Sequence, residues 1–154
     1  MDTLLNLLNG VSWEEAEDKC EWIGATNKCF SVRAFYDLLW FEVLKPRSGC
    51  YTLILTSDSV EELLIAWPKA IGLHLGKRVW ELLPYAVIWT LWRIRNDRIF
   101  KEKMVSMERM VVEVKTTLWY WVGNWPGRRS YCFQDMFLCW FELLNGLLVK
   151  SGSN

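Results

Sequence analysis

The chain has 154 residues, 18 Lys plus Arg against 18 Asp plus Glu, and a hydrophobic fraction of 52% that includes 11 Trp. So much apolar area excludes a disordered chain, and a net charge of zero excludes a globally basic nucleic-acid binder. A mean hydropathy of +0.06, with no run of about 18 residues free of strongly polar groups, speaks against a polytopic membrane protein.

At this length one domain over 1–154 is expected. Leu4, Leu5, Leu7 and Leu8 predict a short helix closed by Gly10. Ser12 and Glu15 have the spacing of a capping box. Two short strands, Cys20–Ile23 and Cys29–Val32, flank the turn-forming Gly24-Ala25-Thr26-Asn27-Lys28 and predict a β-hairpin. Ser31 then caps a helix over Val32–Leu44, with Val32, Phe35, Tyr36 and Leu39 on one face. Lys45-Pro46-Arg47-Ser48-Gly49 ends it, and Tyr51–Thr56 reads as a weaker strand.

Ser59 and Glu62 repeat the capping-box spacing and open a helix that Pro68 stops. Gly72 and Gly76 mark a loop before a long helix over Lys77–Phe100, in which Pro84 is a kink or a late start. Ser106 opens the next helix, whose stripe is Met107, Met110, Val111, Val114, Leu118, Trp121 and Val122. Gly123 to Gly127 breaks it. A final amphipathic helix over Tyr131–Leu148 places Phe133, Met136, Phe137, Trp140, Phe141, Leu144, Leu147 and Leu148 on one face. The expected fold is mainly α: a small helical domain or bundle of about four to six helices with a short N-terminal β-hairpin.

Chemistry-bearing patterns are few. Cys20, Cys29, Cys50, Cys132 and Cys139 contain no C-x-x-C pair, and the single His74 has no ligand at metal spacing, so no zinc site and no cofactor are expected. The acids Glu14, Glu15, Glu17, Asp18 and Glu21 lie within eight residues, a pattern that more often forms a solvated face than a catalytic cluster. No nucleophile elbow, phosphate-binding glycine loop or zinc-protease motif is present, which argues against an enzyme.

Two features stand out as contact chemistry. Arg93, Arg95, Arg98, Lys101 and Lys103 form a basic patch opposed only by Asp97 and Glu102. Cations near a helix C-terminus also suit its dipole. The tryptophans outnumber what one core needs, so an aromatic contact surface is expected from Trp89, Trp92, Trp119, Trp121, Trp125, Phe137, Trp140 and Phe141. The N-terminus lacks the basic start and apolar run of a secretory signal, so a cytoplasmic or nuclear location is the default, with membrane association as the alternative.

Two blocks carry a family resemblance. Glu17-Asp18-Lys19-Cys20-Glu21-Trp22, followed by Cys29-Phe30-Ser31-Val32-Arg33-Ala34-Phe35-Tyr36-Asp37-Leu38-Leu39, is the first. Leu83-Pro84-Tyr85-Ala86-Val87-Ile88-Trp89-Thr90-Leu91-Trp92-Arg93-Ile94-Arg95-Asn96-Asp97-Arg98-Ile99-Phe100 is the second. In this order they resemble the zinc-binding reverse-transcriptase domain region (zf-RVT type) of plant LINE-type non-LTR retrotransposons. The resemblance covers 17–44 and 60–140 and implies descent from such an element. The family's Cys/His zinc module would fall between the blocks, where this chain has only Glu42–Ser59 with Cys50 alone. The resemblance therefore implies a deleted module and brings no zinc site, no polymerase and no active site. The expected function is non-enzymatic, through self-association or a protein partner. A membrane-associated, oligomeric or pore-forming helical protein is the alternative, and residual nucleic-acid binding through the 93–103 patch the second. No small-molecule substrate is expected.

Overall fold

The computed structural model describes residues 20–21, 29–30, 32–70, 72, 74–101, 103 and 105–148. Two compact units divide the chain, Met1–Phe35 and Tyr36–Asn154. In the first unit, β1 (Cys20–Glu21) and β2 (Cys29–Phe30) pair antiparallel, with Cys20 opposite Phe30 and Glu21 opposite Cys29. The rest of the expected hairpin, at 22–28, lies outside the described residues, and a hairpin as a unit is not seen. Also outside them are the expected helix at 4–8 with its Gly10 cap, the Ser12–Glu15 turn, the Ser31 cap, and most of the acidic run 14–21.

Helices dominate the described residues. Helix α1 (Val32–Leu44) buries Leu39, Trp40, Val43 and Leu44, a three-four pattern that gives it one core-facing side. Pro46 cannot continue the helical ladder, so the chain tightens into a 3₁₀ segment, Lys45–Cys50.

Tyr51–Thr56, expected as a strand, is helix α2. Its β-branched and aromatic residues favour a pleated, half-buried surface only where a partner strand exists. Here Cys50 enters with helical dihedrals, and only Ile54 is buried. The Thr56 and Ser57 hydroxyls donate back to carbonyls of the last turn, at Thr52 and Leu53. Local geometry and tertiary context therefore override the β propensity.

Helix α3 (Val60–Ala66) starts at the expected cap: Ser59 Oγ accepts from the Glu62 N–H at 3.1 Å. The Glu62 carboxylate reaches back to the Asp58 N–H at 2.9 Å, one residue before the N-cap. Helix α4 (Leu75–Lys101) begins two residues earlier than expected and takes Gly76 into its first turn, so that glycine is helical and not part of a loop. The chain enters α4 through Gly72 and His74, both at positive φ, 87° and 63°.

Pro84 lies inside α4 and is buried. A proline at this position has no N–H for the carbonyl four residues earlier, that of Trp80. The Trp67 indole N–H donates to that carbonyl at 3.1 Å, and the Trp80 indole N–H donates to the Pro68 carbonyl at 2.8 Å. The two indoles stack with centroids 4.8 Å apart, and Trp40 adjoins Trp67 at 5.7 Å. The guanidinium of Arg47 sits 3.9 Å from the centre of a Trp80 ring. The backbone defect made by one proline thus becomes the acceptor that anchors an aromatic core.

Helix α5 (Met107–Trp121), capped by Ser106 as expected, packs along α4 through Met110, Val114 and Leu118. The last helix departs from expectation. The chain passes through the 3₁₀ turns Val122–Asn124 and Pro126–Ser130 and two short helices, α6 (Asp135–Leu138) and α7 (Trp140–Leu144), separated at Cys139. Gly146, with φ 69°, then closes α7: its N–H bonds the Leu143 carbonyl, and the Leu147 N–H bonds that of Glu142. Those two bonds form a Schellman motif, which only a residue tolerating left-handed geometry completes easily. Met136, Trp140, Leu143 and Leu144, at the spacing of one helical face, are buried, while Phe133, Phe141 and Leu147 are exposed.

Candidate interaction surface

The expected aromatic surface resolves into separate places. Trp89 and Trp92, one helical turn apart on α4, stack on one another with ring centroids 5.1 Å apart, and both are exposed. Tyr85, one turn earlier on the same side, is exposed as well. Val79, Leu83, Val87, Thr90 and Ile94 of the same helix are buried. Helix α4 is therefore apolar on two sides: one covered within the fold, the other open.

A second group surrounds the junction of α5 and α6. Trp119 meets Phe133 edge to face at 6.0 Å, and Phe133 meets Phe137 at 4.9 Å. Arg128 stands 4.2 Å from a Trp119 ring centre, and Lys115 stands over Phe137 and Trp140 at 5.5 and 4.7 Å. Trp125 stacks on Tyr131 at 6.4 Å. Trp121 and Phe141 are exposed. Trp140 is only 7% exposed, and its indole N–H donates to the Val43 carbonyl at 3.0 Å. It is a core residue, so its place in the expected contact surface is corrected: it lies on the buried face with Met136, Leu143 and Leu144.

The basic patch is partly neutralised by its neighbours. Arg93 pairs with Glu113 of α5, which also accepts from Arg109. Lys101 pairs with Asp97 at 2.6 Å. That hydrogen bond, joined by the charges of Lys101, Lys103 and Arg93 and opposed by some desolvation, holds the Asp97 carboxyl below the ordinary carboxylate range. At 3.6 residues per turn, Arg93, Arg95, Arg98 and Lys101 wind around roughly half of the helix and do not line one stripe. Lys103 lies beyond the helix end, its N–H on the Asp97 carbonyl at 3.4 Å.

Lys115 was not singled out by its place in the sequence. Among the described residues no carboxylate pairs with it, and burial pulls its ammonium below the ordinary lysine value of 10.5. A lysine whose folded value is depressed binds fewer protons folded than unfolded between the two values. Its contribution to stability therefore rises as pH rises through that window toward 10.5. Burial and the Asp37 charge raise Tyr51; burial and the Asp135 charge raise Tyr131. Those two groups make stability fall above pH 10, where the unfolded tyrosines ionise first. Lys115→Met keeps the stem over the rings and removes the charge. It is expected to raise the thermal midpoint at pH 7, with the gap to wild type narrowing as pH approaches 10. A gap that stays constant between pH 7 and 10 would refute the account.

Among the described residues no group of three His, Cys, Asp or Glu could hold a metal ion, and no helix is long and apolar enough to cross a membrane. Burial, then the charges of Asp135 and Glu142 and the neighbouring Cys132, push the Cys139 thiol above its ordinary value and make it a poor nucleophile. No protein-family model, curated relative or solved structure matches the chain.

Proposed function

We propose that this chain is a non-enzymatic helical protein of retrotransposon descent that acts through protein–protein contacts, by self-association or on a protein partner. One observation carries the reading: the stacked, exposed Trp89 and Trp92 on the open side of α4. Large aromatic side chains dominate binding energetics where they can be desolvated against a second surface. The fold has already filled its core with Trp40, Trp80 and Trp140, with the half-buried Trp67 stacked on Trp80, and three of those four indole N–H groups are bonded internally. The outer pair is held by neither core packing nor a described hydrogen bond. The two blocks of family resemblance support the descent.

The basic patch lends nucleic-acid binding less support, because Glu113 and Asp97 already neutralise two of its members. A membrane-surface reading draws on the same exposed indoles beside cations, since such rings also suit a lipid–water interface. Light scattering on the purified chain, with a hydrophobic-dye assay and vesicle flotation, separates these. The contact reading expects either an oligomer that Trp92→Glu dissociates or a monomer whose dye binding Trp92→Glu removes. A compact monomer that binds neither dye nor vesicles would defeat it, and flotation with anionic vesicles would favour the membrane alternative.

A further inference from the structure

The open side of α4 has a regularity beyond exposure. Leu82, Tyr85, Trp89, Trp92, Asn96 and Ile99 follow one another at intervals of three, four, three, four and three residues. That is the a/d seam of a coiled coil, in which two helices keep contact over several turns. Tyr85 is 51% exposed, Trp89 45%, Trp92 55% and Ile99 57%, with Phe100 beside the seam at 79%. The seam lies opposite the buried Val87, on a 27-residue helix whose other side is already packed on α5. An isolated helix has no reason to keep two apolar stripes. One that joins two bodies does.

We infer that the occupant of this seam is a second copy of the same chain, with the two α4 helices packed antiparallel. This rests on the contact reading proposed above and names its partner. A two-fold axis between Trp89 and Trp92 sets Trp89 against Trp92 of the second copy, Tyr85 against Asn96, and Leu82 against Ile99. Apolar side chains then meet apolar ones, and the tyrosine hydroxyl meets an amide that can accept from it. Charge favours that direction. By helical spacing Arg93 and Arg95 flank the seam in the last third of α4. A parallel, in-register pair would set each beside its own copy, whereas the antiparallel pair places them at opposite ends; the Glu113 partner of Arg93 reduces this difference without reversing it. The net charge of zero adds no global repulsion between copies. Taking 150–250 Å² for an aromatic side chain, the exposed parts of these five residues come to roughly 600 Å² per copy. Two copies bury about 1,200 Å², the lower bound of a stable, specific interface.

The test combines stoichiometry with direction. Light scattering should give a dimer for the wild type, and Trp92→Glu, which places a carboxylate in each copy's seam, should raise the dissociation constant about a hundredfold or more. Circular dichroism of Trp92→Glu should remain near wild type, because the indole is outside the core, and its thermal midpoint should lose only the concentration-dependent part that dimerisation adds. Direction is read by mixing a Tyr85→Cys chain with an isotopically labelled Asn96→Cys chain, oxidising, and mapping peptides by mass spectrometry. The antiparallel pair expects the 85–96 cross-link between labelled and unlabelled chains; cross-links of 85 to 85 and 96 to 96 would mean a parallel pair and overturn the stated geometry. A dimer indifferent to Trp92→Glu overturns the seam and leaves the contact reading intact. So does a monomer whose dye binding disappears in Trp92→Glu, since the surface then serves a different protein. A monomer that floats with vesicles replaces both with the membrane reading.

Discussion

Gly76→Ala should lower the thermal midpoint by about 4–8 °C, the equivalent of roughly 2 kcal/mol in a domain of this size. Gly76 is buried in the first turn of α4, and a Cβ there would run into the carbonyl oxygen of Leu143 at the end of α7. Backbone cannot rotate aside as a side chain does, so the upper range of overpacking, about 3 kcal/mol, applies. Alanine returns about 1 kcal/mol through its better helix propensity. The neighbouring Gly72 tells the same story: its Cβ would stand 2.6 Å from the Cα of Gly146. Gly49→Ala is the control, because nothing lies within 4 Å of a Cβ at that position. Equal midpoints for the two variants would show that the close approach of α4 and α7 does not hold in solution.

The second large effect concerns the proline in α4. Trp80→Ala removes a fully buried indole and is expected to cost about 3–5 kcal/mol in urea unfolding. Trp67→Phe is the sharper probe, since it keeps an aromatic ring in the stack while deleting the N–H that serves the Trp80 carbonyl. A buried carbonyl left without a donor costs about 1–3 kcal/mol. Pro84→Ala restores a helical N–H to that same carbonyl. In a Pro84→Ala background Trp67→Phe should therefore lose much of its effect, giving a coupling energy of about 1 kcal/mol in the double-mutant cycle. Additive effects of the two substitutions would mean that the indole and the proline are independent.

These two sites mark where the sequence was legible and where it was not. The helix starts at Ser59 and Ser106 were readable because a cap is a local bond, spanning three residues in each case. The span of α1 and most of α4 and α5 followed from apolar spacing for the same reason. Pro84 was readable as a disturbance, but its remedy lies 17 residues away in Trp67, and no local pattern links them. Gly76 reads as a loop residue until α7 is present to demand its missing side chain. Tyr51–Thr56 has the composition of a strand, but the chain enters it from Cys50 with helical dihedrals and buries only Ile54, which no local pattern announces. The final helix looked continuous because its wheel was clean; Cys139 breaks it, and Trp140 turns inward to reach Val43.

For the contact residues the limit is similar. Trp89 and Trp92 were identifiable as aromatic and helical, and the structure adds that they face away from α5. Lys115 meets Phe137 only once α6 folds back along α5, and Arg128 meets Trp119 only through the turns at 122–130, so their sequence neighbours carry no sign of either contact. The basic run 93–103 looked unopposed because Glu113, which answers Arg93, belongs to the following helix.

The bonds from Trp140 to the Val43 carbonyl and from Asn145 to that of Pro46 span 97 and 99 residues. During synthesis the apolar side of α1 therefore emerges long before the segment that closes over it. At 5–20 residues per second that interval is roughly 5–20 s. For those seconds Leu39, Trp40, Val43 and Leu44 have no final partner from α7, and the nascent chain depends on whatever shields them. That interval leaves the apolar face of α1 open to aggregation before the fold can close over it.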